Sequence, residues 1–127
     1  FGIFDNNSEV AVAKIFFGSN EETKEKVQER KSPFDGAVVS TAPVCDADDT
    51  IMALHIAKKA AKDAAKSPLS QRILWLEDVA KRLNEEKEAF ASMLAREVAK
   101  PIAFSRIEVE RCVETIRVTA MELANLH

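Results

Sequence analysis

The side chains able to do chemistry are few and scattered. There are two cysteines, Cys45 and Cys112, and two histidines, His55 and His127. A metal site from these types needs close pairs such as CxxC or HxxxH. No such spacing occurs, so no metal-ligating residues are assigned. A cysteine nucleophile needs a base or a helix N-terminus to generate its thiolate. Cys45 precedes an expected helix start, but Asp46, Asp48 and Asp49 oppose deprotonation there. Cys112 is expected half-buried within a helix. His55 has no acid or serine at triad-like spacing and reads as a partly exposed helix residue. Two reduced thiols imply a cytoplasmic setting more readily than a disulfide does.

Carboxylates are plentiful, as in Glu85-Glu86-Lys87-Glu88 and Glu108-Val109-Glu110. On helices such residues form solvated faces with partners one turn away. Arg106 with Glu110 is a favourable pair of that kind, and Glu110 with Glu114 an unfavourable one. Nucleotide-cradling loops need clustered glycines between strand and helix. Gly2, Gly18 and Gly36 stand apart, and none opens a helix. No catalytic and no cofactor-binding residues are therefore assigned.

Behind these residues stand two compositional halves. Residues 1–45 hold all three Gly, five of the seven Phe and two of the four Pro, and read as strands and turns. Residues 46–127 lack Gly, are rich in helix formers, and read as about four helices of a single incomplete domain. Asp5-Asn6-Asn7-Ser8 predicts a hairpin turn between Ile3-Phe4 and Val10-Ala11-Val12. A strand is expected from Ala13 to Phe17, stopping at Gly18-Ser19-Asn20. The charged run 21–31 is expected on the surface. Ser32-Pro33-Phe34-Asp35-Gly36 is a turn signature, followed by a strand over Ala37–Thr41 that ends near Pro43.

Asp46 is a good N-cap, with Asp49 three residues on as in a capping box. Leu54, Ala57, Ala61 and Ala64 recur at helical spacing in the first helix. Ser67-Pro68 marks a second start, with Ile73, Leu76, Ala80 and Leu83 as its apolar face. A break at Asn84-Glu85-Glu86 precedes Phe90, Met93, Leu94 and Val98. Pro101 then separates the third helix from the last. In the last helix Ile102, Val109, Val113, Ile116, Ala120 and Leu123 form a narrow stripe expected to face a core. That helix meets no stop signal before His127, and the chain opens at Phe1 without Met, so a longer parent is expected.

The bulk numbers suit a soluble globular chain. The 127 residues are 46% hydrophobic and 31% charged, with 18 basic and 21 acidic residues for a net charge of -3. Interspersed charges of both signs leave no basic footprint for nucleic acid. The apolar runs Val10–Ala13 and Ile15–Phe17 are too short to cross a membrane, and no secretory signal pattern appears.

Four stretches together resemble the aldehyde dehydrogenase family over roughly residues 14–126. Ser32–Val39 resembles the family's NP.dG.vv turn and strand. Asp46–Asp49 with Ala53, Leu54, Ala57, Ala60 and Ala61 resembles its first helix, and Gln71–Leu74 its eR..iL motif. The most specific stretch is Glu97–Ile102 with Ser105, Arg106, Glu108, Val109 and Arg111, which resembles E.GKP...a..Ev.r. Ala99 stands where most members have Gly.

The resemblance implies an α/β parent fold that uses NAD or NADP to oxidise an aldehyde to a carboxylic acid. This chain would be its mainly helical N-terminal segment, a structural part of the cofactor domain. The family's nucleophilic Cys in Gly-Gln-x-Cys, its general-base Glu and its oxyanion-holding Asn in Trp-Asn have no counterpart here; Trp75 is followed by Leu76. In the family these motifs lie downstream. The chain alone is thus expected to bind no cofactor, and its partner is expected to be the remainder of the dehydrogenase, as a homo-oligomer. Some members bind a monovalent cation near the position of Glu97, where a surface carboxylate is the alternative. A free-standing helical interaction module derived from the family is the competing reading.

Overall fold

The computed structural model describes residues 10–125. The Asp5–Ser8 hairpin turn lies outside them. Among the described residues five short strands precede the helices: β1 (Ala11–Val12), β2 (Ile15–Phe17), β3 (Asn20–Glu22), β4 (Val27–Lys31) and β5 (Val38–Pro43). Four helices follow: α1 (Ala47–Lys66), α2 (Leu69–Glu85), α3 (Lys87–Val98) and α4 (Ile102–Ala124).

The strands form two small sheets. β5 sits between β1, which runs parallel to it, and β4, which runs antiparallel. β2 and β3 make a separate hairpin. The expected single strand from Ala13 to Phe17 is therefore divided. The Ala13 N–H donates to the Thr41 carbonyl at 2.8 Å, and the chain leaves β5 before Ile15 starts the hairpin. Gly18 and Ser19 close that hairpin, with Gly18 at φ +65 as a two-residue turn requires. Run 21–31 is exposed as expected, apart from half-buried Lys24, but it supplies β3 and β4. All five β4 residues are exposed, and Glu29, Arg30 and Lys31 protect an outer strand from pairing with another chain.

The 32–36 turn forms as its residues dictate. The Gly36 N–H donates to the Ser32 carbonyl at 2.9 Å, and the Ala37 N–H donates to Asp35 Oδ1 at 3.0 Å. Gly36 takes φ +74. β5 then buries Val39, one of few core residues in this part of the chain along with Ala11 and Phe17.

The chain divides into two compact units, Phe1–Ala65 and Lys66–His127. The compositional change near residue 45 marks the start of α1, whereas the division in space follows nearly the whole of that helix. In the second unit, α4 packs against both α2 and α3, which touch each other little. Its core is built of small side chains: Ala80, Ala91, Ser105, Val109, Val113 and Ala120 are buried. Small residues at the contacts let helix axes approach closely.

Several helix expectations hold and others need correction. Asp46 and Asp49 form the capping box. The Asp49 N–H donates to Asp46 Oδ1 at 2.9 Å, and the Asp46 N–H donates to Asp49 Oδ2 at 3.0 Å. The break near Asn84 is real, and Glu86 serves as both the end of α2 and the start of α3. Pro68 and Pro101 occupy cap positions. The α1 face of Leu54, Ala57, Ala61 and Ala64 is exposed, however. Val98 and Ile102 are also exposed, and Ser105 takes the first buried position of α4. Ile102 lies at the helix's first turn, where α2 and α3 do not cover it.

Candidate functional site

Among the described residues, no nucleophile or base candidate is assembled into a constellation, and His127 lies outside them. Cys45 and Cys112 are free and exposed. For Cys112 this corrects the half-buried expectation: Val109 and Val113 on either side turn inward, and Cys112 turns out. His55 is exposed on α1, and Glu97 is half-buried near the end of α3. Among the described residues, no group of three or more His, Cys, Asp or Glu converges as a metal site would.

Glu85 takes a partner one turn away, Lys81 at 3.9 Å, as expected, whereas Glu88, Glu108 and Glu110 pair at longer range. Glu88 accepts from Arg106 Nε at 3.0 and 3.1 Å and from Nη2 at 2.9 Å, a bidentate pair across α3 and α4. Glu110 pairs with Lys87, not with Arg106, and Glu108 pairs with Lys100. The helical spacing of Arg106 and Glu110 allowed their contact, but the cross-helix geometry offered Arg106 a two-pronged partner. That bond holds the Glu88 carboxyl below its ordinary range and raises the Arg106 guanidinium.

A second organised polar group lies in the first unit. Lys24, between β3 and β4, donates to Asp49 Oδ1 at 2.6 Å. Asp49 is 5% exposed and also serves the capping box. The Lys24 bond, followed by the Asp46 N–H, lowers the Asp49 carboxyl. The same bond to Asp49 raises Lys24.

What each unit offers most plainly is uncovered apolar surface. On α1, Ile51, Leu54, Ala57, Ala61 and Ala64 follow three- and four-residue spacing along one exposed face. On α2, Leu74, Trp75 and Val79 are exposed. On α4, Phe104, Ile107, Val118 and Met121 make a second apolar face away from the buried stripe. Between α2 and α4 lies a groove of about 410 Å³ floored by Ala80 and Ala120, with Ile73 and Met121 in its walls. Monomeric soluble proteins rarely leave such faces open. Their geometry suits packing against further layers of protein, not reaction chemistry. The spacing of Ile107 and Val118, about three helical turns apart, carried the α4 signal in the sequence. The inward stripe by itself accounts for the helix, which hides this second face in the sequence.

The model of the aldehyde dehydrogenase family matches residues 19–127. The lactaldehyde dehydrogenase of Methanocaldococcus jannaschii is 30% identical over 89 residues, which are 70% of this chain and 19% of the relative. Aspartate-semialdehyde dehydrogenase 1 of Pseudomonas canavaninivorans is 34% identical over 92 residues, 72% of this chain and 19% of the relative. An aldehyde dehydrogenase of Physcomitrella patens, solved with its reaction product succinate, superposes with a TM-score of 0.86 at 27% identity. That superposition covers 91% of this chain and 24% of the other. The chain thus spans about a fifth of the length of the curated relatives it matches.

Proposed function

Because the chain belongs to the aldehyde dehydrogenase family, we propose that it is the N-terminal structural portion of an NAD(P)-dependent enzyme that oxidises an aldehyde to a carboxylic acid. The observation that carries this reading is the superposition of 91% of the chain on about a quarter of a longer family member. The exposed faces of α1, α2 and α4 support it, since a longer fold has the additional layers needed to cover them. The catalytic cysteine, general base and oxyanion donor are assigned to the remainder of the enzyme. So is the cofactor site, and this chain by itself is expected to bind neither NAD nor NADP.

The substrate is proposed to be a small polar aldehyde. The matched relatives act on lactaldehyde and aspartate semialdehyde, and the solved relative holds succinate. Homo-oligomerisation is proposed for the complete enzyme. Among the described residues no helix is long and apolar enough to cross a membrane. The exposed free thiols suit a reducing compartment, and the cytoplasm is proposed.

An immunoblot of source lysate with an antibody against this segment tests the reading. A band several times heavier than 14.1 kDa is expected. A band at 14.1 kDa alone would overturn it in favour of an independent binding module. Calorimetric titration of the chain with NAD and NADP is expected to give no saturation; clear micromolar binding would place part of the cofactor site here.

A further inference from the structure

The first helix is attached to the strands in an unusual way. Of the twenty residues of α1, Asp49 alone is buried and Ile56 alone is half-buried. These two lie seven residues apart, on one side of the helix. Each meets a different loop of the strand unit. Asp49 takes the Lys24 ammonium, from the β3–β4 connection, at 2.6 Å. Ile56 lies beside the β2–β3 turn, its Cγ2 3.5 Å from where a Cβ on Gly18 would stand.

We infer that the Lys24–Asp49 pair is a latch that holds the N-terminal half of α1 onto the strand unit, and that removing either charge releases that half-helix while the β4–β5 ladder stays formed. The apolar attachment at Ile56 is a single side chain, so the charged attachment decides whether this part of the helix is docked. An isolated helix of this length is marginal in water. Losing Lys24 leaves a carboxylate with little access to water and without its counter-charge, which costs more than the pair contributes when whole. The capping box couples the latch to helix formation. Asp49 Oδ2 accepts the Asp46 N–H while Oδ1 accepts Lys24, so one carboxylate both starts the helix and fastens it. β5 depends on neither, because its ladder runs to β1 and β4.

Hydrogen exchange followed by mass spectrometry on the full 127-residue chain tests the latch. Lys24→Met and Asp49→Asn are each expected to speed exchange of amides 50–56 by about tenfold, given a partly exposed charged hydrogen bond. Exchange in β5 is expected to stay unchanged, and Lys24→Arg to behave as wild type. Unchanged protection of 50–56 in Lys24→Met would overturn the inference. So would loss confined to Asp49→Asn, which would point to the cap alone, or equal loss in β5. The wild-type chain supplies a test without substitution. Amides 50–56 are expected to open with little dependence on denaturant and ahead of β5. Exchange of both sets through one global opening would sink the latch.

Discussion

Ala99 ends α3 at φ 54 and ψ 36, in the left-handed region that a Cβ disfavours. The aldehyde dehydrogenase pattern has Gly there, and the structure supplies the reason: the chain must reverse between Val98 and Pro101. Ala99→Gly is expected to stabilise the second unit by about 1 kcal/mol, read from urea unfolding. Acid acts on other residues. The folded carboxyls of Asp49 and Glu88 lie below their ordinary values of 3.8 and 4.5, held down chiefly by hydrogen bonds from Lys24 and Arg106. A depressed carboxyl contributes stability that is full above its unfolded pKa and is lost as pH falls through its folded one. Thermal stability should therefore hold from neutrality to the ordinary carboxylate range and decline below it. Asp49→Asn should flatten part of that acid limb in scans of melting temperature against pH. Asp49 faces Lys24 and Asp46, and Lys24 in turn faces Asp49, Asp46 and Glu22.

At the level of elements, α4 shows how a helix can serve two masters. Its inward stripe is Ser105, Val109, Val113 and Ala120; its outward face is Phe104, Ile107, Val118 and Met121. Val113→Ala should cost about 2 kcal/mol in urea unfolding, since it opens space in a packed core. Val118→Ala, at a residue 45% exposed, should stay within about 0.5 kcal/mol. Equal losses at the two sites would mean that the outward face is covered even in the isolated chain. Lys87, at the start of α3, and Lys100, in the connection to α4, are further tied to Glu110 and Glu108 of α4. These surface pairs set register more than they add stability.

For the whole molecule, the open apolar faces predict the behaviour of the isolated chain. Sedimentation velocity should show concentration-dependent association without a single defined stoichiometry. The double substitution Phe104→Ser and Met121→Gln should shift the distribution towards monomer. A sharp dimer would instead mean that one face meets a second copy in a specific way.

The elements were legible in local chemistry. The Asp46–Asp49 cap, the Ser32–Gly36 turn, the break at Asn84–Glu86 and the Pro101 boundary each depend on residues within about one helical turn of one another. The inward positions Val109, Val113 and Ala120 were legible too, because helix periodicity places them on one face. Only the tertiary structure decided which partner each side chain took. Arg106 had an acceptable neighbour in Glu110 but found better geometry in Glu88, on another helix. Lys24 and Asp49 are separated by 25 residues, so no spacing rule could pair them. The strands of 20–22 and 27–31 have no signature in the sequence, because exposed charged strands lack the apolar alternation that announces a half-buried one. Apolar periodicity likewise cannot tell a covered face from an open one. The stripe on α1 and the second face of α4 are written in the sequence as surfaces to be buried, and whether they are buried depends on the chain packed against them.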